Sequence, residues 1–206
     1  MDGYDAHWDR VYWGNRAYFG EGPSGFGVEC CRIFRDMGVG AVLELGPGQG
    51  RDAKHFADNG MSVVGIDFSE VCNAQVRDMI PGVRVYCADI REGFDIPEGP
   101  FDACYSHMLF TMDFTDEELL RAKESVFGAV RPGGIVAFSV RNQDDQGFRV
   151  GEHMHGDVWK NKMGFRVRFF SKDGLRILTD GFESVRVWEF FEEKKRLYGV
   201  TMVRPR

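Results

Sequence analysis

Short apolar runs alternate with amphipathic stretches along the first 140 residues, and each pairing reads as a strand followed by a helix. Residues 41–45 (AVLEL) form a β-prone run that ends in glycines. Residues 51–60 (RDAKHFADNG) predict a helix. Phe56 falls on the side of Asp52 and Ala53, and Gly60 suits the left-handed position that closes a helix. SVVGID (62–67) predicts the next strand, and 68–80 the next helix, with Ser69 as its N-cap. VRVYCAD (83–89) and FDACYSHM (101–108) predict two further strands. TDEELLRAKESVFGAV (115–130) predicts a helix opened by Thr115, with Glu118 three residues on and Pro132 just past its end. GIVAFSV (134–140) follows as a fifth strand. Strands alternating with helices build a parallel sheet covered on both faces, which is why the strand runs are almost continuously apolar.

Past residue 140 the pattern changes. Residues 141–164 are polar and glycine-containing and predict a long loop. FRVRFF (165–170) alternates as a strand does, and 171–181 predict a short helix. SVRVWEFF (184–191) and LYGVTMV (197–203) predict an antiparallel hairpin at a sheet edge, joined by a solvated charged turn. The expected architecture is α/β: a Rossmann-like, seven-stranded, mostly parallel sheet with helices on both faces and the last strand antiparallel.

The length, 206 residues, fits a single domain, and 43% hydrophobic with 28% charged residues argues for a folded chain. A net charge of −6 argues against a sequence-independent nucleic-acid binder, which needs a basic face. No apolar run reaches the roughly 20 residues of a membrane span, and the first residues lack a signal-peptide layout. The five cysteines are odd in number and include no CxxC pair, so reduced thiols used as small apolar residues are expected, in a cytoplasmic setting. The chain is expected to be a monomer or homodimer without nucleic-acid or membrane partners.

The sharpest chemical signal is Glu44-Leu45-Gly46-Pro47-Gly48-Gln49-Gly50, placed between a predicted strand and a predicted helix. Glycines there allow a tight turn and close approach of a ligand to the backbone. Asp67 ends the next strand, where a carboxylate can accept both hydroxyls of a ribose. Dinucleotide sites usually read G-x-G-x-x-G with a pyrophosphate at the helix N-terminus. The spacing here is G-x-G-x-G, and Glu44 and Asp52 suit a ligand that lacks phosphate and carries a positive group.

From about residue 40 to 141 the chain resembles the class I S-adenosylmethionine-dependent methyltransferases. VLELGPGQGR (42–51), VVGIDFS (63–69), CADI (87–90), FDACYSHM (101–108) and VRPGGIVAFSV (130–140) match that family's successive motifs in order. The resemblance implies a cofactor site of Glu44, Gly46, Gly48, Gly50, Asp67, Phe68, Asp89, Ile90 and Ser106, with Asp89 toward the adenine amino group. It implies methyl transfer to a small-molecule acceptor. The GRDA run (50–53) and the aromatic N-terminal segment narrow the resemblance to the branch holding the tellurite-resistance and thiopurine methyltransferases. Thiols or chalcogen oxyanions such as tellurite and selenite are that branch's kind of acceptor, and residues 1–25, with Trp8, Tyr12, Trp13 and Phe19, its cofactor cover. The alternative is a non-catalytic S-adenosylmethionine-binding or interaction module on the same fold.

A sulfonium carries its own activation, so the protein's task is alignment and exclusion of water. His107, with Ser106, is the catalytic candidate, since this strand end faces the methyl group in the family. The absence of an NPPY or DPPY run argues against nucleobase and glutamine-amide acceptors. His153 and His155 form an H-x-H pair without a third ligand at defined spacing, so no metal is expected. Residues 141–170 are expected to close over the substrate as an insertion or lid.

Overall fold

The computed structural model describes residues 20–206. Seven strands form one sheet in the order β3-β2-β1-β4-β5-β10-β9. They are β1 (Ala41–Leu45), β2 (Ser62–Asp67), β3 (Arg84–Cys87), β4 (Phe101–His107), β5 (Val130–Arg141), β9 (Glu183–Glu192) and β10 (Lys195–Val203). The first five run parallel, and β10 pairs antiparallel with both β5 and β9. The predicted sheet and edge hairpin are therefore present, and β4 alternates between two cores. Tyr105 packs with Phe26, Phe34 and Phe56 on one face, while Cys104 packs with Phe101, Phe110 and Val126 on the other.

The predicted helices form with the expected caps. α2 (Arg51–Asp58) closes on Gly60 at φ +84°, α3 (Glu70–Met79) is capped by Ser69, and α4 (Asp116–Ala129) opens with a reciprocal Thr115–Glu118 capping box. At the opposite end of the sheet from these helix starts, Asp102 accepts from Gly40 N and Ala41 N at 2.9 Å each and from Arg131 at 2.7 Å. One carboxylate thus ties together the beginnings of β1, β4 and β5.

Four features differ from the sequence reading. A helix, α1 (Gly25–Asp36), lies within and beyond the segment assigned only as a cover. Its buried stripe of Phe26, Cys30, Cys31 and Phe34 has helical spacing, but two glycines obscure it. Gly27 is needed there, because a Cβ would lie 2.6 Å from an oxygen of Asp52. Second, β5 begins at Val130, so the RPGG run is a bulge inside the strand rather than a turn before it. β4 advances from Phe101 to Ala103 while β5 advances from Val130 to Ile135.

Third, residues 141–164 are not a continuous loop. β6 (Glu152–His155) and β7 (Val158–Lys160) join β8 (Arg166–Arg168) in a separate three-stranded antiparallel sheet. Fourth, the predicted helix at 171–181 is a 3-10 turn, Asp173–Leu175, and one α-helical turn, α5 (Arg176–Thr179). Residues 1–19, including the aromatics Trp8, Tyr12, Trp13 and Phe19, lie outside the described residues. Among the described residues no helix is long and apolar enough to cross a membrane.

Candidate active site

The glycine loop joins β1 to α2 at the C-terminal edge of the sheet. Gly46, Gly48 and Gly50 all adopt positive φ, at +67°, +54° and +82°. A Cβ on Gly46 would lie 2.9 Å from a methyl of Leu109, which would have to shift to admit it. Across the loop, Asp67 accepts from Gly48 N at 3.1 Å through one oxygen and from Ser69 N at 3.0 Å through the other. The strand-end carboxylate therefore sits directly against the loop, as the spacing implied.

A cleft opens beside this loop, lined by Glu44, Gly46, Gly48, Asp67, Phe68 and His107 among others. It continues past Ala88, Asp89 and Ile90. Glu44 is buried, and among the described residues its Oε2 has no hydrogen-bond partner. Burial, reinforced by the nearby Asp52 and Asp67 carboxylates, pushes its acid well above the usual range, with Arg51 opposing. A cationic group in the cleft would satisfy that oxygen and hold Glu44 ionised. Asp52 is engaged elsewhere: it accepts from Ser24 N, Ser24 Oγ and Tyr105 Oη at 2.7, 2.8 and 2.7 Å. Asp89 accepts from Arg91 N and pairs with the Arg91 side chain at 2.6 Å.

The two catalytic candidates point to opposite faces of β4. Ser106 is buried, donates to Leu45 O at 3.2 Å and faces the core beside Cys104 rather than the cleft. Its expected cofactor and catalytic roles have no geometric basis, because strand alternation turns it away from the side that His107 faces. His107 lines the cleft and stacks on Phe26, with ring centroids 5.6 Å apart. Its Nδ1 lies 2.6 Å from Ser139 Oγ, and its Nε2 lies 2.7 Å from Glu192 Oε2. The second contact is at ion-pair distance but is not aligned as a hydrogen bond.

Glu192 is the residue that the sequence reading missed. It ends β9 and was absorbed into the solvated turn, yet its side chain is only 20% exposed. Its second oxygen takes Arg51 Nη2 at 2.9 Å, across 141 residues. Burial alone would raise the carboxyl, but contact with His107 and Arg51 outweighs it and brings Glu192 down to about 2. No local pattern marks such a residue, since both partners arrive from distant segments.

A second cavity, of about 340 Å³, adjoins the first, and Met108 and Met112 line both. Met108 holds φ +59° at the end of β4, a conformation that a non-glycine residue adopts at a cost. Phe165 and Arg166 line the cavity from the small sheet, Arg141 from β5 and Glu192 from the hairpin. The small sheet is clamped to the segment before α4. Asp113 pairs with His155 Nε2 at 2.7 Å and Arg166 Nη1 at 2.8 Å, and Arg168 bonds Phe114 O and Asp116. Burial would raise Asp113, but its bonds to Arg166 and His155 lower it below the usual carboxylate range. His153 bonds Gly156 O and stacks against Trp159, so the two histidines of the H-x-H pair serve different contacts.

The fold matches the Rossmann-like fold of solved methyltransferases. A methyltransferase-domain family model matches residues 42–134, spanning the loop, Asp67, Asp89 and β4. S-adenosylmethionine is the cofactor of that domain class. A malonyl-[acyl-carrier protein] O-methyltransferase of Enterobacter lignolyticus is 29% identical over 103 residues, 50% of this chain and 39% of that protein. The chain thus spans well under half the length of that relative. The Burkholderia thailandensis 1,6-didemethyltoxoflavin-N1-methyltransferase, solved with S-adenosylhomocysteine, superposes with TM-score 0.72 at 19% identity, covering 98% of this chain and 87% of that one. The N-methyltransferase NodS of Bradyrhizobium japonicum gives TM-score 0.72 at 13% identity with full coverage of both chains.

Proposed function

We propose that this protein is an S-adenosylmethionine-dependent methyltransferase acting on a small-molecule acceptor. The reading rests above all on one juxtaposition: the Gly48 amide bonded to Asp67 beside the unpartnered, buried oxygen of Glu44. Bound there, the cofactor supplies an electrophilic methyl group on a sulfonium. Glu44 meets the cationic amino group of its amino-acid portion, and Asp67 accepts from the ribose hydroxyls. Gly46, Gly48 and Gly50 let the backbone approach without side-chain obstruction. Phe68 and Ile90 would enclose the base, and Asp89, whose carboxylate holds Arg91, would receive the adenine amino group. His107, held between Ser139 and Glu192, faces the reacting end.

Calorimetric titration with S-adenosylmethionine, S-adenosylhomocysteine and NAD tests the site. Binding of the first two, tighter than NAD, is expected; preferential NAD binding overturns the reading. Formation of S-adenosylhomocysteine with a panel comprising an amine, a carboxylate, a thiol and selenite separates an enzyme from a binding module on the same fold. The soft acceptors implied by the tellurite-resistance resemblance form one arm of that panel.

A further inference from the structure

The second cavity shares Met108 and Met112 with the cofactor cleft, so a molecule in it lies next to whatever occupies the reacting end of the cleft. Its cations are matched by carboxylates. Arg141 bonds Asp145 through two nitrogens at 2.9 and 2.5 Å, Arg166 bonds Asp113 at 2.8 Å, and Lys195 lies 3.6 Å from Glu193. Glu192 differs in its second oxygen: Oε1 takes Arg51 Nη2 at 2.9 Å, while Oε2 is buried, lies 2.7 Å from His107 Nε2 and lacks an aligned donor among the described residues. Methionine and phenylalanine side chains supply the apolar part of the lining, from Met108, Met112, Met163 and Phe165.

Resting on the methyltransferase reading, we propose that this cavity is the acceptor site and that Glu192 selects an acceptor whose reacting atom is a basic nitrogen on a flat, apolar body. The physical reason lies in where charge moves. A basic nitrogen arrives as the ammonium and first gives one proton to water, which frees its lone pair; the pair then forms the new bond to carbon, the carbon–sulfur bond breaks with its pair left on sulfur, and the positive charge ends on nitrogen. The N–H proton is then lost to water. A fixed carboxylate on the acceptor side favours that arriving charge without reorganising. An anionic acceptor brings no charge for Glu192 to stabilise and is repelled by it.

The test reads binding rather than turnover. The methionine methyls of the protein saturated with S-adenosylhomocysteine are followed by NMR during millimolar titrations of benzylamine, benzyl alcohol and benzoate. Benzylamine is expected to shift the Met108, Met112 and Met163 methyls and to bind about tenfold more tightly than benzoate, with Glu192→Gln abolishing the preference. Equal or tighter binding of benzoate overturns the proposal. So does a preference that survives Glu192→Gln, or the failure of all three probes to move these methyls. The S-adenosylhomocysteine affinity, measured separately by calorimetry, shows whether the cofactor reading itself has failed.

Discussion

The glycine-loop cleft and the cavity that adjoins it are built by different means. Around the glycine loop, the polar contacts join residues close in sequence or on neighbouring strands: Gly48 with Asp67, Asp67 with Ser69, Asp89 with Arg91. Around the adjoining cavity, ion pairs between distant segments bring the elements together: Arg51 and His107 with Glu192, His155 and Arg166 with Asp113, beside the local Arg141–Asp145 pair. The first half is specified by backbone conformation, which side chains cannot easily imitate. The second is specified by charge pairing, which substitutions can rewire while leaving the sheet intact. On the proposed reading, a single scaffold can therefore keep its cofactor and change its acceptor.

The largest expected effect breaks the first half. Gly48→Val places a β-branched residue at φ +54° where the backbone faces the cleft. S-adenosylhomocysteine binding should vanish in calorimetry while circular dichroism shows a folded chain; normal binding would make the loop purely structural. Next comes Asp67→Ala, which removes a charged acceptor and also frees Gly48 N and Ser69 N. Affinity should fall by about 2–4 kcal/mol, counting two charge-assisted bonds, and an unchanged affinity would refute the ribose assignment.

Asp113→Asn probes the second half. Releasing the small sheet should cost about 1 kcal/mol in denaturant unfolding and speed hydrogen exchange in β6 and β8, with cofactor affinity unchanged. Because the folded Asp113 is lowered, its contribution is present above the ordinary carboxylate range and is lost as pH falls below it. The wild type and the variant should therefore converge in stability in acid, and a gap that persists there would refute the clamp. The smallest effect is expected from Ser106→Ala. The hydroxyl bonds Leu45 O inside the core, so stability should drop by about 1 kcal/mol with cofactor binding intact. A large loss of affinity would restore Ser106 to the site.

This contrast also explains what could be read from the chain alone. The strand and helix order, the caps at Ser69 and Thr115, and the glycine loop with Asp67 at the end of the next strand are local patterns, and they appear in the sequence as they stand in the fold. Helix α1 was hidden because Gly27 answers to Asp52 rather than to helix propensity. Of the small sheet, only β8 shows in the sequence, in the alternation of residues 165–170; β6 and β7 are three or four residues long, so alternation has no run in which to show. Glu192 opens the charged EEKKR run, whose composition signals solvent, and only its arrival beside Arg51 and His107 gives it another meaning. Ser106 and His107 are neighbours in sequence, and only the pleat decides which of them meets the cleft.

The Asp102 staple has a consequence for redesign. It gathers the starts of β1, β4 and β5 at the edge of the sheet remote from the cleft, through two backbone amides and Arg131. Anchorage and chemistry therefore occupy opposite rims, and neither borrows atoms from the other. An engineer could replace the stretch from β6 to β8, or the tip of the β9–β10 hairpin, with segments from another protein and leave this fastening untouched. The domain is in that sense a chassis whose mounting points are separate from its working face.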